Sequence, residues 1–185
     1  MEERTMKLTI LAIVLLLGIC YSSTGNATLS ITVSPQGTPS CNPGTAVICP
    51  RGDLGSIQVK VTETPAQPGT TITCFAAVAG FCFVTGQNPQ AKPQDSRGDA
   101  FFVFSSFGGC GNLAFQATSP TSPPSPVSPT VYVASPDADA SCSVVLTDFI
   151  NFASAYQTTN PCCDYDCTGV VDLADFITFA SHYGH

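Results

Sequence analysis

Three kinds of hydrophobic pattern follow one another along the chain. Leu8 to Ile19 is almost unbroken apolar, with Arg4 and Lys7 before it and the small or polar residues Ser22 to Ala27 after it. The run is short for a membrane span, and a basic head, apolar core and small-residue exit predict a signal peptide over residues 1–27. Cys20 ends the run and leaves a lipoprotein as the alternative, although Ile19 stands where lipidation favours a small residue. From Thr28 to Ser135 the texture changes to short alternating runs punctuated by Gly and Pro. Leu29–Val33, Ile57–Thr62, Thr71–Ala76, Phe81–Val84, Ala100–Ser105, Leu113–Thr118 and Val131–Ala134 are the predicted strands, with the clearest alternation at Ile57, Val59 and Val61. Strands this short and this closely spaced predict a β-sandwich over residues 28–135. Near the end the period lengthens. Phe149, Phe152, Ala153 and Tyr156 recur at helical spacing, and Phe176, Phe179, Ala180 and Tyr183 repeat them. Two short amphipathic helices packing through these aromatics are expected, neither stable alone.

The second helix copies the first. Residues 137–156 (DADASCSVVLTDFINFASAY) and 164–183 (DYDCTGVVDLADFITFASHY) align without a gap at an offset of 27 residues. In the second copy, oxygen-bearing side chains fall at loop positions 1, 3, 5, 9 and 12: Asp164, Asp166, Thr168, Asp172 and Asp175, with Gly169 at position 6. Alternate oxygens and a sharp turn at position 6 are what a hard cation needs from a twelve-residue EF-hand-type loop, so Ca2+ is the expected ion. The first copy is poorer. Asp137, Asp139, Ser141 and Asp148 remain as ligands, but Cys142 replaces the glycine and Val145 the acid of position 9. A non-glycine in the left-handed backbone costs about 1 kcal/mol. Val144 and Val171, at position 8, are expected to pair with each other across the two loops, and ligation is expected to couple to folding.

A loop followed by one helix, duplicated and without an entering helix, resembles the dockerin family over residues 137–185. The resemblance implies calcium at the residues just named and a cohesin domain on another protein as partner. Contacts to it are implied around Leu146, Thr147, Ser154, Leu173, Ala174 and Ser181. The preceding segment, in which the turn Asp95–Gly98 leads into an aromatic strand, resembles bacterial Ig-like domains of the invasin kind. Together these imply an all-β Ig-like sandwich followed by a small all-α dockerin-like pair of calcium loop–helix repeats at 136–185. Ser119–Pro129, rich in Ser, Pro and Thr, reads as a loop inside the sandwich; the alternative is an interdomain linker starting near residue 119.

Charge and cysteine narrow the function. Seven of the ten aspartates lie between Asp137 and Asp175, and no Lys or Arg follows Arg97. Acids interleaved with Phe, Ile and Val point to a folded cation-binding unit, and nothing neutralises phosphates, which disfavours nucleic acid. Nine of the ten cysteines follow Ile31. That density after a leader predicts secretion and disulfides, in a pairing the sequence leaves open and with at least one cysteine free or paired between chains; if the first loop is a degenerate copy, a disulfide from Cys142 is the alternative way to lock it. Zinc at Cys142, Cys162, Cys163 and Cys167 is disfavoured because paired CxxC units are missing. The histidines are His182 and His185 and, past the leader, the one glutamate is Glu63, which leaves little for acid–base or nucleophilic catalysis. The chain is therefore expected to be a non-catalytic secreted protein tethered through its calcium module. The alternatives are a structural surface protein with a calcium-stabilised cap, or a polysaccharide-binding sandwich, which the absence of Trp disfavours. Two RGD tripeptides, Arg51–Asp53 and Arg97–Asp99, are more simply read as Gly-Asp turns.

Overall fold

A computed structural model describes residues 27–37 and 44–185. The expected signal segment, with Cys20, and also Cys41, lie outside the described residues. The body is built of short strands in four small sheets. Strands β1 (Thr28–Gly37), β3 (Gly55–Thr64) and β7 (Asp99–Phe104) form an antiparallel sheet in the order β1-β3-β7. Strands β10 (Phe115–Thr118), β4 (Thr71–Ala76) and β6 (Gln90–Pro93) form a second. In a third, β11 (Val131–Ala134) pairs in parallel with β2 (Thr45–Val47) and antiparallel with β9 (Gly111–Leu113). Finally, β5 (Cys82–Phe83) pairs with β8 (Phe107–Gly108).

Alternation decides which side chains meet. Along β3, Ile57, Val59 and Val61 point inward; along β7, Ala100, Phe102 and Phe104 do, while Phe101 and Val103 face outward. The first two sheets, with Phe107, Leu113 and Val133, enclose a single core. Phe104 of the first sheet meets Phe115 of the second with ring centroids 4.6 Å apart. Each such fully buried ring or aliphatic side chain contributes about 1.5–3 kcal/mol.

All seven predicted runs contain strand. The alternation missed β2, β6 and β8, which are two to four residues long, and β6 is a polar edge strand (Gln-Ala-Lys-Pro) with no apolar face to announce it. The Ig-like (invasin-type) reading needs two continuous antiparallel sheets. Four small sheets with a parallel β2–β11 pair do not support it; what holds is a predominantly β body followed by two helices.

Ser119–Pro129 lies along β10. The amides of Phe115 and Ala117 donate to Ser128 Oγ and Ser125 Oγ at 2.9 Å each, and the amides of those serines donate back to the Phe115 and Ala117 carbonyls. Thr121 and Ser122 hydroxyls with the Gln94 amide enclose the buried Glu63. Burial works to raise the Glu63 pKa, but hydrogen bonds from Ser122, Thr121, Gln94 and Ser119 outweigh it and hold the carboxyl below its usual range.

The C-terminal repeats fold into α1 (Leu146–Ala155) and α2 (Leu173–His182), which cross at stacked rings, Phe152 over Phe179 with centroids 5.3 Å apart. Phe149–Phe179 at 6.1 Å and Phe152–Phe176 at 6.0 Å are mirror contacts of the duplication. The buried stripes are Asp148, Phe152, Ala155 and Asp175, Phe179, His182. This shifts the expected Phe149/Ala153/Tyr156 face by about one position. The third residue of each helix turns its carboxylate into the loop, which rotates Phe149, Phe176 and the tyrosines toward solvent.

The repeats are not a free-standing module. Their core (Val144, Phe152, Cys163, Tyr165, Val171, Phe179) includes Val47 and Ala134 of the body, with Leu54 packed against it. Disulfides Cys82–Cys142 and Cys110–Cys162 fasten the two parts together, and Cys167 is disulfide-bonded as well. This agrees with the alternative of a cross-link at Cys142 and fits an oxidising compartment. Among the described residues Cys49, Cys74 and Cys163 are free and buried, and no helix is long and apolar enough to cross a membrane.

Candidate metal centre

Each repeat opens with a loop whose backbone folds around its own first and last aspartates. In the first, both oxygens of Asp137 accept amides, from Ser141 at 2.9 Å and Cys142 at 2.8 Å. Asp148, in the first turn of α1, accepts amides of Ala138 at 2.9 Å, Asp139 at 3.3 Å and Val145 at 2.9 Å. The second loop repeats this. Asp164 accepts from Thr168 at 3.1 Å and Gly169 at 2.8 Å, and Asp175 accepts from Tyr165, Asp166 and Asp172. Position 6 is left-handed in both, at Cys142 (φ 67°) and Gly169 (φ 92°), and so is position 4, at Ala140 (φ 59°) and Cys167 (φ 61°). The cysteine at position 6 thus adopts the glycine conformation at a cost of about 1–2 kcal/mol while bonded to Cys82.

These turns bring carboxylates together. One ligand oxygen each from Asp137, Asp139 and Asp148 lie within 4.8 Å of one another, and so do those from Asp164, Asp166 and Asp175. Ser141 Oγ donates to the Ser143 carbonyl at 3.0 Å and Thr168 Oγ to the Val170 carbonyl at 3.3 Å, so a hydroxyl and a carbonyl stand beside each triad. Asp172 goes elsewhere: its oxygen caps α2 by accepting the Ala174 amide at 2.8 Å. Val145, its counterpart, has no side-chain acceptor to offer α1. Six of the nine expected ligands, the aspartates of positions 1, 3 and 12, therefore converge in two groups; Ser141 Oγ reaches Asp137 at 3.4 Å, Thr168 Oγ turns to the Val170 carbonyl, and Asp172 is an N-cap.

Burial raises the Asp137 pKa to about 6, reinforced by the neighbouring Asp139 and Asp148 carboxylates against the amides of Ser141 and Cys142. Burial raises that of Asp175 as well. The first site is the more enclosed, because Asp137 is pressed against the body. A Cβ on Gly108 would fall 1.8 Å from Asp137 Oδ2, and the Gly109 amide donates to the Asp137 carbonyl at 2.7 Å. Only glycine at 108 admits the loop. Both triads are all-oxygen and anionic, the chemistry a hard divalent cation matches.

The position-8 valines do not pair with each other. Val144 exchanges backbone hydrogen bonds with Gly184 and His185, and Val171 with Gln157 and Thr158. Each chain segment leaving a helix turns through a left-handed residue, Gln157 or Gly184, and reaches the other repeat's loop first. Each loop is thereby clamped to the far end of the other repeat's helix.

No family model matches the chain, and neither a curated protein nor a solved structure matches it. The dockerin and Ig-like identifications are accordingly withdrawn. Among the described residues the chain is mostly β with two ten-residue helices, and those helices are embedded by core and disulfide in the β body instead of hanging from it. The cohesin partner was implied by that resemblance alone and is not carried further. What stands is a duplication internal to this chain, with its two carboxylate triads.

Proposed function

We propose that this chain is a non-catalytic, extracellular structural protein in which calcium at two acidic loops fixes a helical cap onto a β body. The observation that carries the reading is the duplicated loop geometry: two triads of carboxylate oxygens, each wound in the same amide pattern, one of them buried against Gly108. Asp137, Asp139, Ser141 and Asp148 would hold one ion, and Asp164, Asp166, Thr168 and Asp175 the other. A bound ion offsets the repulsion within each triad, so binding stabilises the folded cap by linkage. The structural role is favoured over catalysis by the remaining polar residues: Glu63 is enclosed by hydroxyls, and both histidines sit at the cap.

A second reading, attachment to a protein partner, has its own observation. Leu146 and Ile150 on α1, and Leu173 and Ile177 on α2, each one turn apart, are about 60% exposed. Heating the full chain with calcium and with chelator tests the main reading. A large calcium-dependent rise in the cap transition supports it, and identical melts refute it.

A further inference from the structure

The turn Cys49–Asp53 packs under the end of α2. Cys49 is fully buried, the Gly52 amide donates to its carbonyl at 2.9 Å, and the Arg51 amide points at its sulfur at 3.4 Å. Burial outweighs that donor and pushes the Cys49 thiol up to about 11, so an ion binding there has to displace the thiol proton. Arg51 Nε holds Asp53 Oδ2 at 2.9 Å, which leaves Oδ1 directed at His182 Nε2 at 3.1 Å.

His182 is 6% exposed and occupies the place that the first repeat gives to Ala155, so the shared packing of the repeats does not require an imidazole there. Its Nδ1 lies 2.7 Å from the Thr178 carbonyl, which only accepts, so Nδ1 carries hydrogen. In a neutral ring Nε2 then presents a lone pair to a carboxylate oxygen, an arrangement that calls for a proton or a metal ion between them. One ligand atom each from Cys49, Asp53 and His182 lie within 4.8 Å of one another.

We propose that Cys49, Asp53 and His182 form a site for a borderline divalent transition metal, zinc by its chemistry, joining the turn to the helix. One sulfur, one imidazole nitrogen and one carboxylate suit such an ion, and differ in kind from the all-oxygen loops. Metal–ligand bonds of about 2.0–2.3 Å place tetrahedral ligands roughly 3.3–3.7 Å apart, so the three atoms close on an ion with shifts of about 1 Å. Three protein ligands leave the fourth position to water. The Thr178 carbonyl orients the far ring nitrogen and Arg51 the far carboxylate oxygen, as outer-shell partners do. The Arg51-Gly52-Asp53 tripeptide is thus engaged within the chain.

The competing arrangement is an imidazolium paired with Asp53, which involves no sulfur. The test is a cobalt(II) titration of the full chain, saturated with calcium so that the oxygen loops are filled. One equivalent is expected to produce a near-ultraviolet thiolate-to-cobalt charge-transfer band that equimolar zinc bleaches. Cys49→Ser abolishes the band, Cys163→Ser keeps it, and His182→Gln weakens cobalt binding by about tenfold or more with unchanged circular dichroism. No band in the native protein, or a band that persists in Cys49→Ser, overturns the site. If Cys49→Ser does not fold, His182→Gln decides, and unchanged cobalt affinity overturns it.

Discussion

The two acidic loops have one backbone and two environments. Their first and last aspartates accept corresponding amides at corresponding positions, and both turn left-handed at positions 4 and 6. The second loop has glycine at position 6 and an aspartate at position 9 that caps its helix. The first has a cross-linked cysteine and a valine there, and its position-1 aspartate is wedged against Gly108. The difference teaches where a loop draws its order from. The second draws on its own residues, whereas the first has exchanged local chemistry for attachment to the β body, so its ion also couples the cap to that body.

Removing a position-12 carboxylate breaks the loop that carries it and gives the largest effect. Asp148→Ala or Asp175→Ala strands three amides and deletes a ligand, and is expected to cost about 3 kcal/mol or more in denaturant unfolding with calcium present. Hydrogen exchange at the cap should show the damage centred on the altered repeat. Next is the cross-link. Cys82→Ser with Cys142→Gly removes a disulfide, a loss of about 2–4 kcal/mol, and returns about 1–2 kcal/mol of backbone strain. The net loss should appear as faster exchange of the first loop alone. Smaller again is the cap: Asp172→Ala is expected to destabilise α2 by about 1 kcal/mol, and Val145→Asp to stabilise α1 and tighten calcium at the first loop.

The smallest effect is on pH, in chelator. Asp137 titrates near 6 in the folded chain against about 4 when unfolded, so between these values the folded state holds more protons. Cation-free stability should therefore fall as pH rises from about 4 to 6. With calcium the slope reverses, because acid then displaces the ion. A cation-free profile that rises through this window would contradict the burial of Asp137.

The sequence carried some of this and not the rest, for physical reasons. Long alternating strands such as Gly55–Thr64 announce themselves because one face is buried; the edge strand Gln90–Pro93 does not, since it buries neither. The acidic triads were legible because ligands spaced along one short loop need no distant residue. Asp172 carries two signals at once, because an N-cap and a position-9 ligand demand the same residue at the same place, and in the structure one of its oxygens caps α2. The Val144–Val171 pairing failed because the chain leaving each helix reaches the opposite loop first. Cys49 and Asp53 lie more than a hundred residues from His182, and the one local signal is His182 standing where the other repeat has Ala155.

Calcium titration of the full chain by calorimetry, with the far-ultraviolet circular dichroism recorded in chelator and in calcium, tests the central claim most directly. The account predicts two saturable sites, one lost in Asp148→Asn and the other in Asp175→Asn, and helix gained as calcium binds. No saturable binding, with the helices already formed in chelator, would contradict it and leave a cap held by its core and disulfides alone.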